Sequence, residues 1–426
     1  MRFLLPAALL LAPVTAPSWA QEIPDEDHFA EEVAAVASDP AVQAALASLD
    51  RERSFEDVVT ISEVPAPPFG EGPRAALVRD MLAETGFGRA GLDDAGNVIA
   101  YREGRTGERV VAVLAHIDTV FPPETDVRVR RDGRTLTGPG VGDNARGVVL
   151  MLEMARAIAD AGLRTEDDVM LVGTVGEEGL GDLSGVRHLF RDGAPPIHAA
   201  LVIDGGEEAT LVTSAIGSNR YRVTYEGPGG HSWGDFGAPN PHHALGRAIA
   251  NLDEAGAQVA EEMGPKVSYN IGTIKGGTSV NSIPYSSAML VDLRSGDPEA
   301  LSAMDRAFRQ AVQDALTIEN QGRELGTEAL TLDLEEVGRR PAGEGDLSAP
   351  LIQRAVAALR ETGLEPRLIA SSTDANVPIS LGIPAVTMAR GGISQGAHSA
   401  DERWTDTGSQ KMTRAALLTL LAEAGY

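Results

Sequence analysis

Cysteine is absent from all 426 residues. Disulfides are therefore excluded, and a core of this size must hold itself by burial even in an oxidising compartment. The same absence excludes a thiol nucleophile and thiolate metal ligands, leaving histidine, aspartate and glutamate as the side chains from which a metal site could be built. Basic residues are scarce: 36 Lys and Arg against 62 Asp and Glu give a net charge of −26. That balance argues against nucleic acid and anionic membrane surfaces as partners, because phosphate recognition needs clustered cations. Past the N-terminus no apolar run is long enough to span a bilayer. Internal repeats are absent, and alanine-rich helices are the only biased tracts.

The N-terminus itself, "MRFLLPAALLLAPVTAPSWA", places Arg2 before an apolar stretch that begins at Phe3, and ends on Ser18-Trp19-Ala20 before Gln21. This is the pattern of a cleaved export signal over residues 1–20, with no cysteine to carry a lipid anchor, and it predicts a periplasmic or secreted protein. Length predicts two or three domains. From residue 72 to 210, apolar strand-length runs such as "NVIAY", "RVVAVLAHID", "DVMLVGTV" and "AALVIDGG" alternate with helical periodicity. Such alternation predicts βαβ crossovers and an α/β domain with a mainly parallel sheet flanked by helices. From "NRYRVTYEG" to "TLDLEEVG" the order becomes βαββαβ, a ferredoxin-like α+β unit. The expected organisation is a discontinuous α/β domain over 21–214 and 339–426, interrupted by an inserted domain over 215–338.

Ligands of open α/β sheets gather at the carboxyl ends of the strands. Here those ends carry metal-capable side chains. "VLAHIDTV" closes on His116 and Asp118, "GPGVGDNARG" brings Asp143 to the start of a helix, "LVIDGG" ends in Asp204, and "GGISQGAHSADE" supplies His398. "DVMLVGTVGEEGLGDLSG" ends its apolar run on Glu177 and Glu178 with no basic neighbour. Two adjacent carboxylates there repel and cost desolvation unless a cation or a proton is supplied. Each residue alone reads as a solvated or structural strand end. Together they form the inventory of hard oxygen and imidazole donors that two divalent cations sharing a carboxylate require.

Nearly the whole mature chain resembles the dinuclear zinc exopeptidases and deacylases that include glutamate carboxypeptidase, peptidase T, aminoacylase and succinyl-diaminopimelate desuccinylase. The resemblance rests on H-x-D-T-V at 116–120, G-D-N at 142–144, the Glu-Glu pair, and G-A-H-S at 396–399. It implies two Zn²⁺ per chain, with Co²⁺ or Mn²⁺ as substitutes. His116 and Asp204 would hold one ion, Glu178 and His398 the other, and Asp143 would bridge. Asp118 would orient His116 from behind, and the unligated Glu177 would act as general base. The inserted domain would be a lid and a homodimerisation surface. From it, His231 in "GPGGHSWG" would stabilise the oxyanion, often across the dimer, while Asn281 in "GGTSVNSIP" and Arg294 in "VDLRSG" would clamp a substrate carboxylate. Without the resemblance these three read as a surface-loop histidine, a turn asparagine and a strand-end arginine, and His242 and His243 as helix-start residues. The chain departs from the family at Ser372-Thr373-Asp374, where a glycine commonly precedes Ser-Asp.

The implied activity is cleavage of an amide bond in a small peptide or N-acyl amino acid, as an exopeptidase or a deacylase. A non-catalytic peptide-binding protein is the alternative from another class, and a dinuclear phosphoesterase is disfavoured because basic residues do not cluster. "GISQG" at 392–396 fits a nucleophile elbow, but no acidic residue lies between Ser394 and His398 and no histidine follows, so a triad order is missing. "GPGVGD" lacks the third glycine of a dinucleotide fingerprint.

Overall fold

The computed structural model describes residues 27–205, 207–264 and 267–426, so the expected export signal lies outside the described residues. Six strands build most of the first sheet: β1 (Arg89–Leu92), β2 (Val98–Arg102), β3 (Val110–His116), β4 (Asp168–Thr174), β5 (Ala199–Ile203) and β6 (Thr210–Ala215). The chain then forms a second sheet from β7 (Gly217–Glu226), β8 (Val267–Gly276), β9 (Ser286–Ser295) and β10 (Thr331–Arg340). It returns to the first through β11 (Gly343–Glu344), β12 (Arg367–Ser371) and β13 (Ala385–Met388). The order in the first sheet is β1-β2-β4-β3-β5-β13-β6-β11, with β12 also on β6. Its centre, β4-β3-β5-β13, is parallel. Antiparallel pairs flank it on both sides, so the sheet is mixed, parallel where it carries the site.

The central strands are apolar throughout because both faces are covered. In β3, Val111, Val113 and Ala115 join a core with α1 (Gly147–Asp160) and two C-terminal helices, while Ala112 and Leu114 face a second core on the other side. That split follows the two-residue period of a strand. Four N-terminal helices, Asp27–Ser38, Pro40–Ala47, Arg51–Ser62 and Gly72–Glu84, pack on the first core. Asp39 and Asp50 cap the second and third by accepting backbone N–H groups. The third buries Phe55 against Trp404 at 5.4 Å between ring centroids.

A small antiparallel sheet of three-residue strands, Arg130–Asp132, Thr135–Thr137, Ile393–Gln395 and Arg403–Thr405, ties the chain before Asp143 to the chain around His398. Ser394 lies mid-strand in it, opposite Trp404. It is not on a strand-to-helix elbow, which agrees with rejecting it as a nucleophile.

In the second sheet the order β8-β9-β7-β10 is wholly antiparallel, and one face is covered by α2 (Pro241–Met263) and α3 (Pro298–Gln321). This is the ferredoxin-like βαββαβ arrangement. Each helix starts at a proline preceded by a capping residue. Asn240 accepts from His242 N, and Asp297 accepts from Glu299 N and Ala300 N. Burial alternates strictly along β9. Tyr221, Val223, Tyr225, Leu252, Met304 and Phe308 form a core separate from those of the first sheet. Among the described residues no helix is long and apolar enough to cross a membrane.

Phe308 is fully buried and stacks on Tyr221 at 4.9 Å. Replacing Phe308 by alanine is expected to destabilise this unit by about 3–5 kcal/mol. Chemical denaturation followed by circular dichroism should show an early transition covering part of the signal, whereas a single unshifted transition would show that this core is not an independent source of stability.

Candidate metal centre

The site begins where β3 ends. His116 is its last residue, 2% exposed, held by Nδ1 at 3.2 Å from the carbonyl of Asp118. The Asp118 carboxylate lies 3.5 Å from the same nitrogen, long for a hydrogen bond. Its better-formed bonds go elsewhere: Oδ1 accepts from Glu177 N at 3.0 Å and Oδ2 from Glu178 N at 2.8 Å. Asp118 thus ties the Glu177–Glu178 turn after β4 to the end of β3.

Asp143 comes from the glycine-rich turn before α1. Glu402 organises that turn, its carboxylate accepting from the backbone N–H groups of Gly140 (2.9 Å), Gly142 (2.9 Å) and Asp143 (2.8 Å). Gly140 has a left-handed φ of 73°, and a Cβ at Gly142 would lie 2.6 Å from Ser394 Oγ, so both glycines are required. The Asp143–Asn144 peptide bond is cis.

Around these the polar groups converge. His116 Nε2 is 3.2 Å from Asp143 Oδ1 and 3.8 Å from Asp204 Oδ1. His398 Nε2 is 3.1 Å from Glu178 Oε1 and 3.4 Å from Asp143 Oδ2. Donor atoms of His116, Asp143 and Asp204 lie within 4.8 Å of one another, as do those of Asp143, Glu178 and His398, and those of His116, Glu177 and Glu178. Asp143 is common to the first two groups. The donors are all carboxylate or imidazole, several buried side by side, and this set fits divalent cations.

The electrostatics report the same crowding. Burial would push Asp143 up, but Arg390, His116 and His398 outweigh it and hold its carboxyl well below the usual range. His398 is raised to about 10 by hydrogen bonds to Asp143 and Glu178. Burial raises Glu177 well above a normal glutamate, with Arg340 and His116 opposing and Glu178 and Asp204 adding to the shift.

Four supporting residues escaped the sequence reading. Arg340, the last residue of β10, donates from Nη1 to Glu177 Oε1 at 2.9 Å and to Ser372 Oγ at 3.1 Å, and from Nη2 to the Glu177 carbonyl. Glu71 accepts from Gly176 N, Glu402 holds the Asp143 turn, and Arg390 faces Asp143 and Asp204. Only Glu402 left a trace, four residues after His398. Asp374, in the divergent Ser372-Thr373-Asp374 stretch, is 1% exposed, accepts from Thr174 at the end of β4, and is pushed up to about 6 by burial.

The inserted-domain candidates lie apart from this cluster, with no hydrogen bond to it. His231 sits in a two-residue strand paired with Ser282–Ile283. Its Nδ1 accepts from Trp233 N (3.1 Å) and Gly234 N (3.3 Å), which leaves the proton on Nε2 as an outward donor. The Asn281 carbonyl accepts from Ser232 N in that same loop. Arg294 Nε bonds Asp292 at 2.7 Å. Asp292 also receives Arg220, whose Nη1 donates to the Gly179 carbonyl beside the glutamate pair at 3.0 Å.

The model of peptidase family M20/M25/M40 matches residues 112–423. A probable carboxypeptidase of Aspergillus flavus is 28% identical over 228 residues, 48% of this chain and 52% of its own, so the chain spans about half the length of such curated relatives. Two crystal structures share the fold: aminopeptidase PepT of Bacillus cereus (TM-score 0.68, 19% identity, 88% of this chain and 99% of that one) and a tripeptidase of Staphylococcus aureus (TM-score 0.70, 18% identity, 88% and 99%).

His398 is raised to about 10 by its hydrogen bonds to Asp143 and Glu178, so if it ligates a metal it would first have to lose its proton. Zinc affinity is expected to rise with pH across the neutral range, by about tenfold per unit for each proton released. Calorimetric titrations in buffers of different ionisation enthalpy measure that release, and heats independent of buffer would remove His398 as a ligand.

Proposed function

The chain belongs to peptidase family M20/M25/M40, and from that membership we propose that it is a metal-dependent hydrolase of amide bonds in small peptides or N-acyl amino acids. The observation that carries this is the sharing of Asp143 by two donor groups, His116–Asp143–Asp204 and Asp143–Glu178–His398. Each group would hold one ion, zinc in the first instance, with Co²⁺ or Mn²⁺ as substitutes. When bound, the ions would supply Lewis acidity and lower the pKa of water towards neutrality.

The chain's own residues supply the rest. Glu177 is fixed at Oε1 by Arg340, which leaves Oε2 to take the proton of the attacking water and later pass it to the leaving nitrogen. Asp118 sets the spacing of the glutamate pair through its two backbone hydrogen bonds. His231 would donate from Nε2 to the developing oxyanion, from the partner subunit if the inserted domain forms a homodimer. Asn281 and Arg294 would bind a substrate carboxylate. The names of the relatives favour peptides, and exopeptidase action is the leading reading, with N-acyl-amino-acid deacylation as the alternative. Export to the periplasm or medium completes the proposal. A non-catalytic peptide-binding role is disfavoured by the complete donor set together with a positioned Glu177.

Three outcomes test the assignment. Chelation should abolish hydrolysis across a panel of di- and tripeptides and N-acyl amino acids, with zinc restoring it; undiminished activity in chelator would end the metal reading. Glu177→Gln should lose about 10² to 10⁴ in turnover while retaining both metals by elemental analysis. Glu178→Gln should lose metal first and recover partly at high zinc, and the reverse pattern would exchange the two roles.

A further inference from the structure

Arg390 follows β13 on the same rim as the cluster and is 4% exposed. Its Nη1 donates to Asp143 Oδ1 at 3.0 Å and Asn144 Oδ1 at 3.3 Å and lies 3.6 Å from Asp204 Oδ1. Its Nε has no hydrogen-bond partner. The buried Arg74, by contrast, places Nε, Nη1 and Nη2 on the carbonyls of Val64, Ile117 and Ser62, while the fully buried Arg146 leaves Nε unpaired as Arg390 does but faces Glu153 and Thr413 rather than the donor cluster. Nor is Arg390 a mobile arm. Gly391 and Gly392 after it have φ of 76° and 77°. A Cβ at either would lie 2.8 Å from the Ser409 carbonyl or 2.6 Å from Trp404 Nε1. Trp404 Nε1 donates to the Gly391 carbonyl at 2.8 Å. The guanidinium is therefore a fixed positive charge, and an arginine cannot shed its charge as a proton.

The charge is not shared equally between the two groups. Asp143 belongs to both, but Asp204, 3.6 Å from Arg390 Nη1, belongs to the His116 group alone, whereas Glu178 and His398 of the other group make neither an ion pair nor a hydrogen bond with Arg390. We propose that Arg390 is a built-in counter-cation of the His116–Asp143–Asp204 half, making this the weaker of the two metal positions and the last to fill. The inference rests on the two-metal reading above. Arg390 neutralises the carboxylates before an ion arrives and repels the ion once it is there, and both effects act in the same direction.

The experiment is a competition titration of metal-stripped full-length protein with zinc against a chromophoric chelator. Wild type is expected to bind two zinc ions with dissociation constants at least tenfold apart. Arg390→Gln should tighten the weaker site tenfold or more, and Arg390→Lys, which keeps the charge, should leave the gap. A merely structural arginine gives the opposite sign, because its loss would disorder Asp143 and Asp204 and weaken binding; weaker or unchanged affinity in Arg390→Gln overturns the proposal. Equal affinities in wild type overturn it without any variant, should Arg390→Gln fail to fold. Absence of zinc binding by wild type overturns the two-metal reading itself, a result distinct from two equal sites.

Discussion

Carboxylates brought within 4.8 Å of one another at the rim of a buried sheet repel, and much of the surrounding structure serves to hold them there. Asp118 and Glu402 do so by spending their own charge on backbone N–H groups, fixing the Glu177–Glu178 turn and the Asp143 turn. Arg340 and Arg390 do so by placing guanidinium groups against Glu177 and against Asp143 with Asp204. The parallel centre of the sheet supplies the geometry, since neighbouring strands β4, β3, β5 and β13 all deliver their carboxyl ends to one side. The remaining deficit of positive charge leaves a cluster that could hold a metal ion.

The two glutamates differ in what each touches. Glu178 faces His398 at the more exposed edge of the cluster. Glu177 is turned towards Arg340, on the strand that brings the chain back from the second sheet. Asp182 reinforces that connection by accepting from Arg339 N, as does Arg220 through the Gly179 carbonyl. The loop bearing both glutamates is thereby fastened to the two strands through which the second sheet joins the first.

Much of this was legible because it is periodic or terminal. Continuous apolar runs marked β3, β4 and β5, and the polar residue just past each run marked His116, Glu177, Glu178 and Asp204. The βαββαβ order was legible for the same reason. What escaped notice depends on folding rather than spacing. Glu402, Arg340 and Arg390 acquire meaning only when distant segments meet, and an isolated arginine at the end of a strand reads as surface. Strands of three residues, such as Ile393–Gln395, are too short to show alternation, and the helices from residue 27 to 84 pack on the first core without contributing a donor to the cluster. Antiparallel pairs at the margins of the first sheet likewise leave no signature in composition.

The crossing between the two sheets has one more consequence. Ala215 pairs with Gly343 in the first sheet and Ser218 with Arg340 in the second, and a Cβ at Gly217 would lie 2.5 Å from Ala342 N. The chain leaves and returns side by side, as a ribbon. To the first sheet, everything between is a loop whose ends are already closed, and the entropy of closing such a loop grows only logarithmically with its length. The architecture can therefore carry a small domain, or a larger one, at nearly the same entropic cost, provided the paired strands at its base are kept.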